Sequence, residues 1–222
     1  MASTKASGLS QAVLVASCIL FFLYGLDVLS PPSYWRMATK AGSTSLLAVY
    51  SLLRGGPGLL SAALALGSAG DAFLSWDGET AFLAGLGSFL LAHIFYIPLF
   101  SRRGGGLTRI QTETWRVGAA AILVALSSMM IKILVPRVES DLRLPILVYS
   151  TTIAAMVLSA LTLESDRVIA GAISFTVSDS ILAAERFLLS PASPHSAWMQ
   201  YAVWILYYAG QGLIALGLLD SI

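Results

Sequence analysis

Apolar runs of about 20 residues follow one another along the chain, separated by short stretches rich in Pro, Gly and charged residues. A helix of that length crosses the roughly 30 Å hydrocarbon core of a bilayer. The pattern therefore predicts eight transmembrane helices. The predicted spans are at about 11–29, 37–53, 57–75, 80–100, 115–135, 144–163, 167–189 and 198–219. An even number of spans places both termini on the same side of the membrane.

The composition narrows the class of protein. Hydrophobic residues make up 57% of the 222 residues and charged residues only 11%, whereas a soluble domain carries about 25% charged residues. This excludes a soluble enzyme, a disordered chain and a nucleic-acid binder. Cys18 is the only cysteine, so no intramolecular disulfide is expected. The chain is predicted to be an all-α integral membrane protein with one transmembrane domain over residues 1–222.

The basic residues bear on the orientation of this bundle. The 13 Lys and Arg residues divide almost evenly between the two predicted membrane sides. Arg102, Arg103 and Arg109 form a cluster on the side of the termini, and basic clusters favour the cytosolic side. We therefore expect cytosolic termini.

Two short segments of the chain have similar sequences, and we call this similarity the internal echo. Gly70–Ser75 in the third span and Ser178–Ala183 in the seventh both follow the order small, Asp, small, bulky, Leu, small. The two spans lie four apart, so they run in the same direction. The echo either arises by chance or marks a parallel 4+4 repeat with its axis along the membrane normal.

Most charged residues lie at the ends of predicted spans or in loops, where water hydrates them. The two aspartates of the internal echo do not. At 1.5 Å per residue, Asp71 lies roughly 21 Å and Asp179 roughly 18 Å from the start of its span. Their similar depth lets the two carboxyls meet inside the bundle. An acid at this depth costs at least ~2.5 kcal/mol on insertion scales. Each is either a structural hydrogen-bond acceptor or part of an acid/base pair, with one carboxyl protonated beside an ionised partner.

Two further polar residues enter the bundle from the side of the aspartates. Lys40 lies near the start of the second span. It either extends to the interface or provides a cation for an aspartate or a lipid phosphate. Tyr149 lies about 7.5 Å below the same face and is predicted to donate its hydroxyl to the site.

Aromatic stripes occupy one face of the fourth and of the eighth span. Their members are Gly85, Phe89, His93 and Tyr96 in the fourth, and Trp204, Tyr208 and Gln211 in the eighth. Such stripes are usually packing surfaces, but packing does not explain His93 and Gln211. An axial count, at 1.5 Å per residue from the start of the fourth span, puts His93 roughly 20 Å from the aspartate side. We therefore expect no contact between His93 and Asp71.

Several motifs occur in order along the chain. They are Ser68–Leu74, Phe82-x-x-Gly85, Ala92-His93-x-x-Tyr96, Leu144-Pro145 with Tyr149, Phe175-Thr176-x-Ser178-Asp179-x-x-Leu182-Ala183, and Tyr207-Tyr208-Ala209-x-Gln211. In these motifs the chain resembles the lysoplasmalogenases, an eight-span family of alkenyl ether hydrolases. The resemblance runs from about Lys40 to Leu216. Ala41 departs from the pattern, since the family often has Pro after this lysine.

The resemblance implies that the protein hydrolyses the vinyl ether bond of lysoplasmenylcholine or lysoplasmenylethanolamine. The products would be a fatty aldehyde and glycerophosphocholine or glycerophosphoethanolamine. The two aspartates of the family correspond to Asp71 and Asp179, which makes these the predicted catalytic residues. Substrate contacts are predicted at Lys40, His93, Tyr96, Tyr149, Tyr208 and Gln211. A eukaryotic member would reside in the endoplasmic reticulum.

Neither a cofactor nor a metal is predicted, because Asp71, Asp179 and His93 alone make a thin ligand set. The expected partners are a lysophospholipid and membrane lipid, not nucleic acid. Buried acids and parallel repeats also mark transport pathways. A proton-coupled transporter and a lipid-binding membrane protein are therefore the alternatives to an enzyme.

Overall fold

A computed structural model describes residues 2–190 and 192–220, and every regular element in this part of the chain is helical. The α-helices are α1 (Ala2–Asp27), α2 (Tyr34–Leu53), α3 (Gly58–Phe73), α4 (Glu79–Ser101), α5 (Gly106–Thr112), α6 (Thr114–Leu134), α7 (Ser140–Ala160), α8 (Asp166–Leu188) and α9 (Ser196–Leu219). A 3₁₀ turn, Val135–Arg137, follows α6. The all-α prediction is confirmed. Each predicted span corresponds to one helix, and the short α5 lies in a loop where no helix was predicted.

Six of the described helical segments are long and apolar enough to cross a membrane. They are Gly8–Asp27, Glu79–Ser101, Thr114–Arg137, Ser140–Ala160, Asp166–Leu188 and Ser196–Leu219. The chain is thus a multi-pass membrane protein. The predicted count of eight is not reached by these criteria, because α3 has only 16 residues and α2 is interrupted by Arg36, Lys40 and several hydroxyl residues.

The outer surface of the bundle is apolar. Large side chains of α1, α6 and α7 are exposed, among them Phe22, Leu26, Ile122 and Leu144. Exposed apolar surface on this scale is unfavourable in water and suits a hydrocarbon environment. These faces therefore contact lipid.

The long helices pack mainly on their neighbours in the chain. The pairs α1–α2, α2–α3, α3–α4, α6–α7, α7–α8 and α8–α9 are all in contact. Three further pairs join helices that are distant in sequence: α2 packs on α9, α4 packs on α7, and α1 also contacts α9. The contacts α2–α9 and α4–α7 bring the aspartate-bearing helices α3 and α8 to a common interior.

A buried arginine stabilises the opposite end of the bundle from the aspartates. Arg116, at the start of α6, donates to the carbonyl oxygens of Leu161 and Leu163 at 2.6 and 2.8 Å. It also donates to Glu113 at 2.8 Å. This hydrogen bond, assisted by neighbouring Trp115, lowers the pKa of Glu113 below its ordinary value. Arg116 thereby satisfies carbonyls that the end of α7 leaves without helical partners.

Candidate active site

Asp71 lies near the end of α3 and is fully enclosed, with 1% of its side chain exposed. Its Oδ2 accepts hydrogen bonds from Thr44 of α2 and Tyr207 of α9, both at 2.8 Å. The Nζ atom of Lys40 lies 3.8 Å from Oδ1. Lys40 and Thr44 are four residues apart and so share one face of α2. Of the two interpretations of Lys40, the structure therefore favours the cation paired with an aspartate.

Asp179 lies in α8 and has different partners. Tyr149 of α7 donates a hydrogen bond to its Oδ2 atom, as the sequence predicts. The Nε2 atom of His93 lies 3.8 Å from Oδ2 and 3.3 Å from the Tyr149 hydroxyl oxygen. His93 is fully buried against the ring of Phe175. An imidazole, a phenol and a carboxyl are thus in one connected cluster.

The axial count spoke against contact between His93 and Asp71, and it did not predict that His93 approaches Asp179. It placed His93 roughly 20 Å from the aspartate side, measured from the start of the fourth span. Asp179 itself lies nine residues before the end of α8, about 13 Å inside the bundle. The two side chains span the remaining distance, since 3.8 Å separates the Nε2 atom of His93 from the Oδ2 atom of Asp179.

The two carboxyls line one polar cavity of about 190 Å³. It lies among α2, α3, α8 and α9, with residues of α1 and α4 at its edge. A second, largely apolar cavity of about 80 Å³ lies among α4, α6, α7 and α8. Asp179 lines both cavities. The apolar side chains shared by the two cavities are Leu74, Phe82, Phe89 and Leu182.

Three predicted substrate contacts lie away from these cavities. Tyr96 and Gln211 are fully buried and bind each other, the Tyr96 hydroxyl donating to Oε1 at 2.6 Å. Tyr208 is hydrogen-bonded to Ser17 at 2.6 Å and stacks on Phe21 of α1. Among the described lining residues of both cavities, none of the three occurs. Their positions indicate packing roles, and substrate contact at these three residues stays a prediction.

Tyr207 and Thr44 contact Asp71 directly, although neither was predicted from the sequence to lie at the site. A signal for Thr44 was its position four residues after Lys40 on the same helical face. For Tyr207, the signal was a second stripe in α9, since Gln200, Val203 and Tyr207 all line the polar cavity. Because successive residues of a helix are rotated by about 100°, the neighbouring Tyr208 faces α1 instead.

The chemistry available at the site is that of carboxyl, phenol, imidazole and ammonium groups. Within the described residues, no group of three or more His, Cys, Asp or Glu side chains is arranged to hold a metal ion. The arrangement can donate a proton, accept one and stabilise a developing positive charge with a carboxylate.

Fold and site together define a multi-pass helical membrane protein with two carboxyl groups in a shared internal cavity. The YhhN family matches residues 35–218, and the chain belongs to this family. No solved structure was found to match the chain.

Curated relatives of the chain are named lysoplasmalogenases, the family that the motifs resemble. The lysoplasmalogenase TMEM86B of Mus musculus is 30% identical over 214 residues, which cover 95% of this chain and 86% of the mouse protein. The human protein of that name is 30% identical over 187 residues, covering 84% of this chain and 69% of its own length. The lysoplasmalogenase of Mycobacterium bovis is 31% identical over 163 residues, 70% of this chain and 58% of that protein. The resemblance to lysoplasmalogenases is thereby confirmed.

Proposed function

We propose that this protein is a lysoplasmalogenase, which hydrolyses the vinyl ether bond of lysoplasmenylcholine or lysoplasmenylethanolamine. The observation that carries the proposal is the position of Asp179 where the polar cavity meets the apolar one. In a lysoplasmalogen, the vinyl ether bond joins the polar glycerophospho group to the apolar alkenyl chain. A substrate with one part in each cavity has its reactive bond beside Asp179. The names of the relatives agree with this substrate.

The reaction suits two carboxyl groups. A vinyl ether is hydrolysed when an acid protonates its β-carbon, which leaves an oxocarbenium ion. Water then adds to the cationic carbon, and the resulting hemiacetal breaks into aldehyde and alcohol. Glycoside hydrolysis passes through a similar cation and also divides the work between two carboxyl groups.

The positions of the aspartates support a division of roles. The β-carbon belongs to the alkenyl chain, and Asp179 is the aspartate that lines the apolar cavity. We assign it as the proton donor. Asp71 has the Lys40 ammonium group at 3.8 Å and lines only the polar cavity. It is suited to act as the carboxylate that faces the cation and accepts a proton from water.

Protons balance over the cycle under this assignment. Asp179 gives a proton to the β-carbon, and Asp71 takes one from the attacking water. When the hemiacetal breaks, protonated Asp71 returns a proton to the leaving glycerol oxygen, and the hemiacetal hydroxyl returns one to Asp179. One water is consumed and both carboxyls regain their starting states. Tyr149 and His93 position Asp179 through the whole cycle.

We also propose that α2 and α3 cross the membrane, which gives eight crossings. The polar face of α2 points at Asp71 and not at lipid, so its lower hydropathy reflects the site. α3 lies between α2 and α4 and is extended by the turn at 74–76. Single cysteines placed in the 54–57 and 74–78 loops of a Cys18→Ser chain should react from opposite membrane sides with an impermeant maleimide. Reaction from the same side would exclude the eight-span arrangement.

The contacts of the aspartates support the 4+4 repeat. Asp71 on α3 is contacted from α2 and α9, and Asp179 on α8 is contacted from α7 and α4. In a parallel repeat, α2 corresponds to α7, α3 to α8 and α4 to α9. This correspondence converts the pair α2–α9 into the pair α7–α4, so these two long-range contacts are at equivalent positions of the two halves. These two correspondences support a two-fold axis between the halves of the bundle.

The orientation with cytosolic termini, and residence in the endoplasmic reticulum of a eukaryotic host, belong to the same proposal. The basic cluster Arg102, Arg103 and Arg109 supports the orientation. Protease accessibility of a tag at each terminus in sealed microsomes tests it. Tags that are protected from external protease would contradict cytosolic termini.

Aldehyde release by the purified protein in a maltoside detergent tests the activity. The protein should release fatty aldehyde from lysoplasmenylcholine but not from the saturated alkyl ether analogue, which has no double bond to protonate. Asp71→Asn and Asp179→Asn should each lower kcat at least about 100-fold. The control Asp141→Asn, at an exposed site at the start of α7, should retain activity.

Two results would contradict these proposals in different ways. Full activity in either Asp→Asn variant of the site would exclude the two-carboxylate mechanism while leaving the activity intact. If the wild-type protein releases no aldehyde but moves a lysolipid across liposomes in a proton-dependent manner, the transporter hypothesis is correct instead.

A further inference from the structure

The polar cavity contains more charge than the hydrolysis of a vinyl ether requires. Besides Asp71, Asp179 and Lys40, it is lined by Arg36, Asp77, Glu185 and Arg186. Arg36 lies near the start of α2, Asp77 in the loop after α3, and Glu185 and Arg186 near the end of α8. All four lie at one end of the bundle, on the outer side of the aspartates. The cavity thus has a charged entrance and the carboxyl pair deeper inside.

The two arginines at this entrance have no carboxylate partner. Among the ion pairs of the described residues, none includes Arg36 or Arg186. Arg36 is fixed by carbonyl oxygens, donating to Ser75 at 3.2 Å and Val28 at 3.3 Å, and its Nε is buried without a partner. The Arg186 guanidinium lies 4.8 Å from the centre of the Phe82 ring. The charge of Lys40, in contrast, is matched by Asp71.

Glu185 supplies an unpaired negative charge at the same entrance. Its Oε1 accepts a single hydrogen bond, from Gln200 at 3.3 Å. Glu185 is next to Arg186 in the sequence, but no ion pair between the two occurs among the described residues. Adjacent residues on a helix point in different directions, so the two charges remain separately available.

We propose that this charged entrance binds the zwitterionic headgroup of the substrate: Arg36 and Arg186 bind the phosphate, and Glu185 binds the ammonium group. The inference rests on the proposed function and extends it to headgroup recognition. Guanidinium groups suit phosphate because their N–H donors match its oxygens. Both elements of a phosphoethanolamine or phosphocholine group then have an opposite charge at the membrane surface. Lys40, which the sequence offered for the phosphate, serves Asp71 instead.

Three substrates with the same alkenyl chain distinguish recognition of the phosphate from recognition of the ammonium group. They are lysoplasmenylethanolamine, the 1-alkenylglycerol 3-phosphate without the amine, and the 1-alkenylglycerol without the phosphate. Removing an arginine should weaken the preference for a phosphate, and removing Glu185 should weaken the preference for the amine. The ratios of kcat/KM between these substrates report the two preferences independently of the total amount of active protein.

The expected changes are specific to each variant. Arg186→Gln should lower the kcat/KM ratio of the phosphate over the headgroup-free substrate about tenfold, mainly through KM. Glu185→Gln should leave that ratio unchanged and lower the ratio of the ethanolamine over the phosphate substrate. Arg186 is exposed, so this variant does not threaten folding, whereas Arg36→Gln also removes bonds to two carbonyls. Arg143→Gln, an exposed change in the first turn of α7, is the matched control.

The outcomes distinguish this inference from the proposed function. If the wild-type protein releases no aldehyde from any of the three substrates, the proposed function fails. If it is active but Arg186→Gln and Glu185→Gln leave both ratios at the wild-type values, the headgroup site is wrong and the hydrolase remains. Equal losses on all three substrates would likewise assign these residues a structural role and overturn the inference.

Discussion

Gly171 of α8 and Gly210 of α9 bring their two helices into direct backbone contact. A Cβ atom on Gly171 would lie 2.7 Å from the carbonyl oxygen of Gly210, and one on Gly210 would lie 2.8 Å from that of Gly171. Small residues at such a crossing are how membrane helices approach closely. The crossing holds Asp179 on one helix and Tyr207 on the other at the same polar cavity. The close crossing therefore fixes the positions of these two residues relative to each other.

Gly210→Ala should destabilise the protein, because the new methyl group forces α8 and α9 apart. Overpacking of this kind costs about 1–3 kcal/mol, and aldehyde release should fall with it. The matched control is Gly212→Ala on the same helix, where a Cβ meets no atom within 4 Å. That variant should unfold at the wild-type temperature or above it, since Ala favours a helix over Gly. Thermal unfolding in detergent measures both, and equal melting temperatures for the two variants would contradict the close crossing.

Tyr149→Phe should lower kcat about tenfold or more with little change in KM. The variant removes the hydroxyl that donates to Asp179 and lies 3.3 Å from His93, so the carboxyl loses its fixed orientation. Tyr96→Phe is the control, because its hydroxyl binds Gln211 away from both cavities. It should lose about 1–2 kcal/mol of stability and keep its kcat. Similar kcat losses in both variants would show that Tyr149 acts only through packing.

The helices themselves could be predicted from the sequence because a membrane leaves the backbone few alternatives. An apolar run of about 20 residues in hydrocarbon must satisfy its own hydrogen bonds and so becomes a helix. Asp71 and Asp179 could be selected for the complementary reason that an acid in this environment is costly. Each of these inferences needs only one segment at a time.

The partners of the carboxyls could not be predicted in the same way. They depend on which helices meet, and the contacts of α2 with α9 and of α4 with α7 join segments far apart in sequence. Tyr207 and Tyr208 are adjacent and equally aromatic, yet one binds Asp71 and the other faces Ser17 of α1. A count along one helix axis gives no rotation relative to a neighbouring helix. For that reason it also missed the approach of His93 to Asp179.

Ala183→Phe should shorten the alkenyl chain that the protein accepts. Ala183 lines the apolar cavity, and a phenyl ring there would occupy part of its roughly 80 Å³. We expect a fall in kcat/KM for long-chain lysoplasmalogens that exceeds the fall for short-chain ones by about tenfold, since each buried CH₂ is worth about 0.8 kcal/mol. The neighbouring Ala184 does not line this cavity, so Ala184→Phe should preserve the wild-type dependence on chain length. An unchanged chain-length profile in Ala183→Phe would place the alkenyl chain elsewhere.

Glu113→Gln should lower the melting temperature at neutral pH, and the difference from wild type should disappear in acid. The hydrogen bond from Arg116 holds the pKa of Glu113 below its ordinary value of 4.5 in the folded protein. A carboxyl with a lowered folded pKa adds stability above its unfolded pKa, and this contribution is lost as the pH falls through the folded pKa. The gap between the two proteins should therefore be constant near pH 7 and close below about pH 4.5. High salt should narrow the gap at neutral pH, because Glu113 is solvent-accessible and its pairing is screened. A gap that persists unchanged in acid would show that the carboxylate of Glu113 does not stabilise this end of the bundle through Arg116.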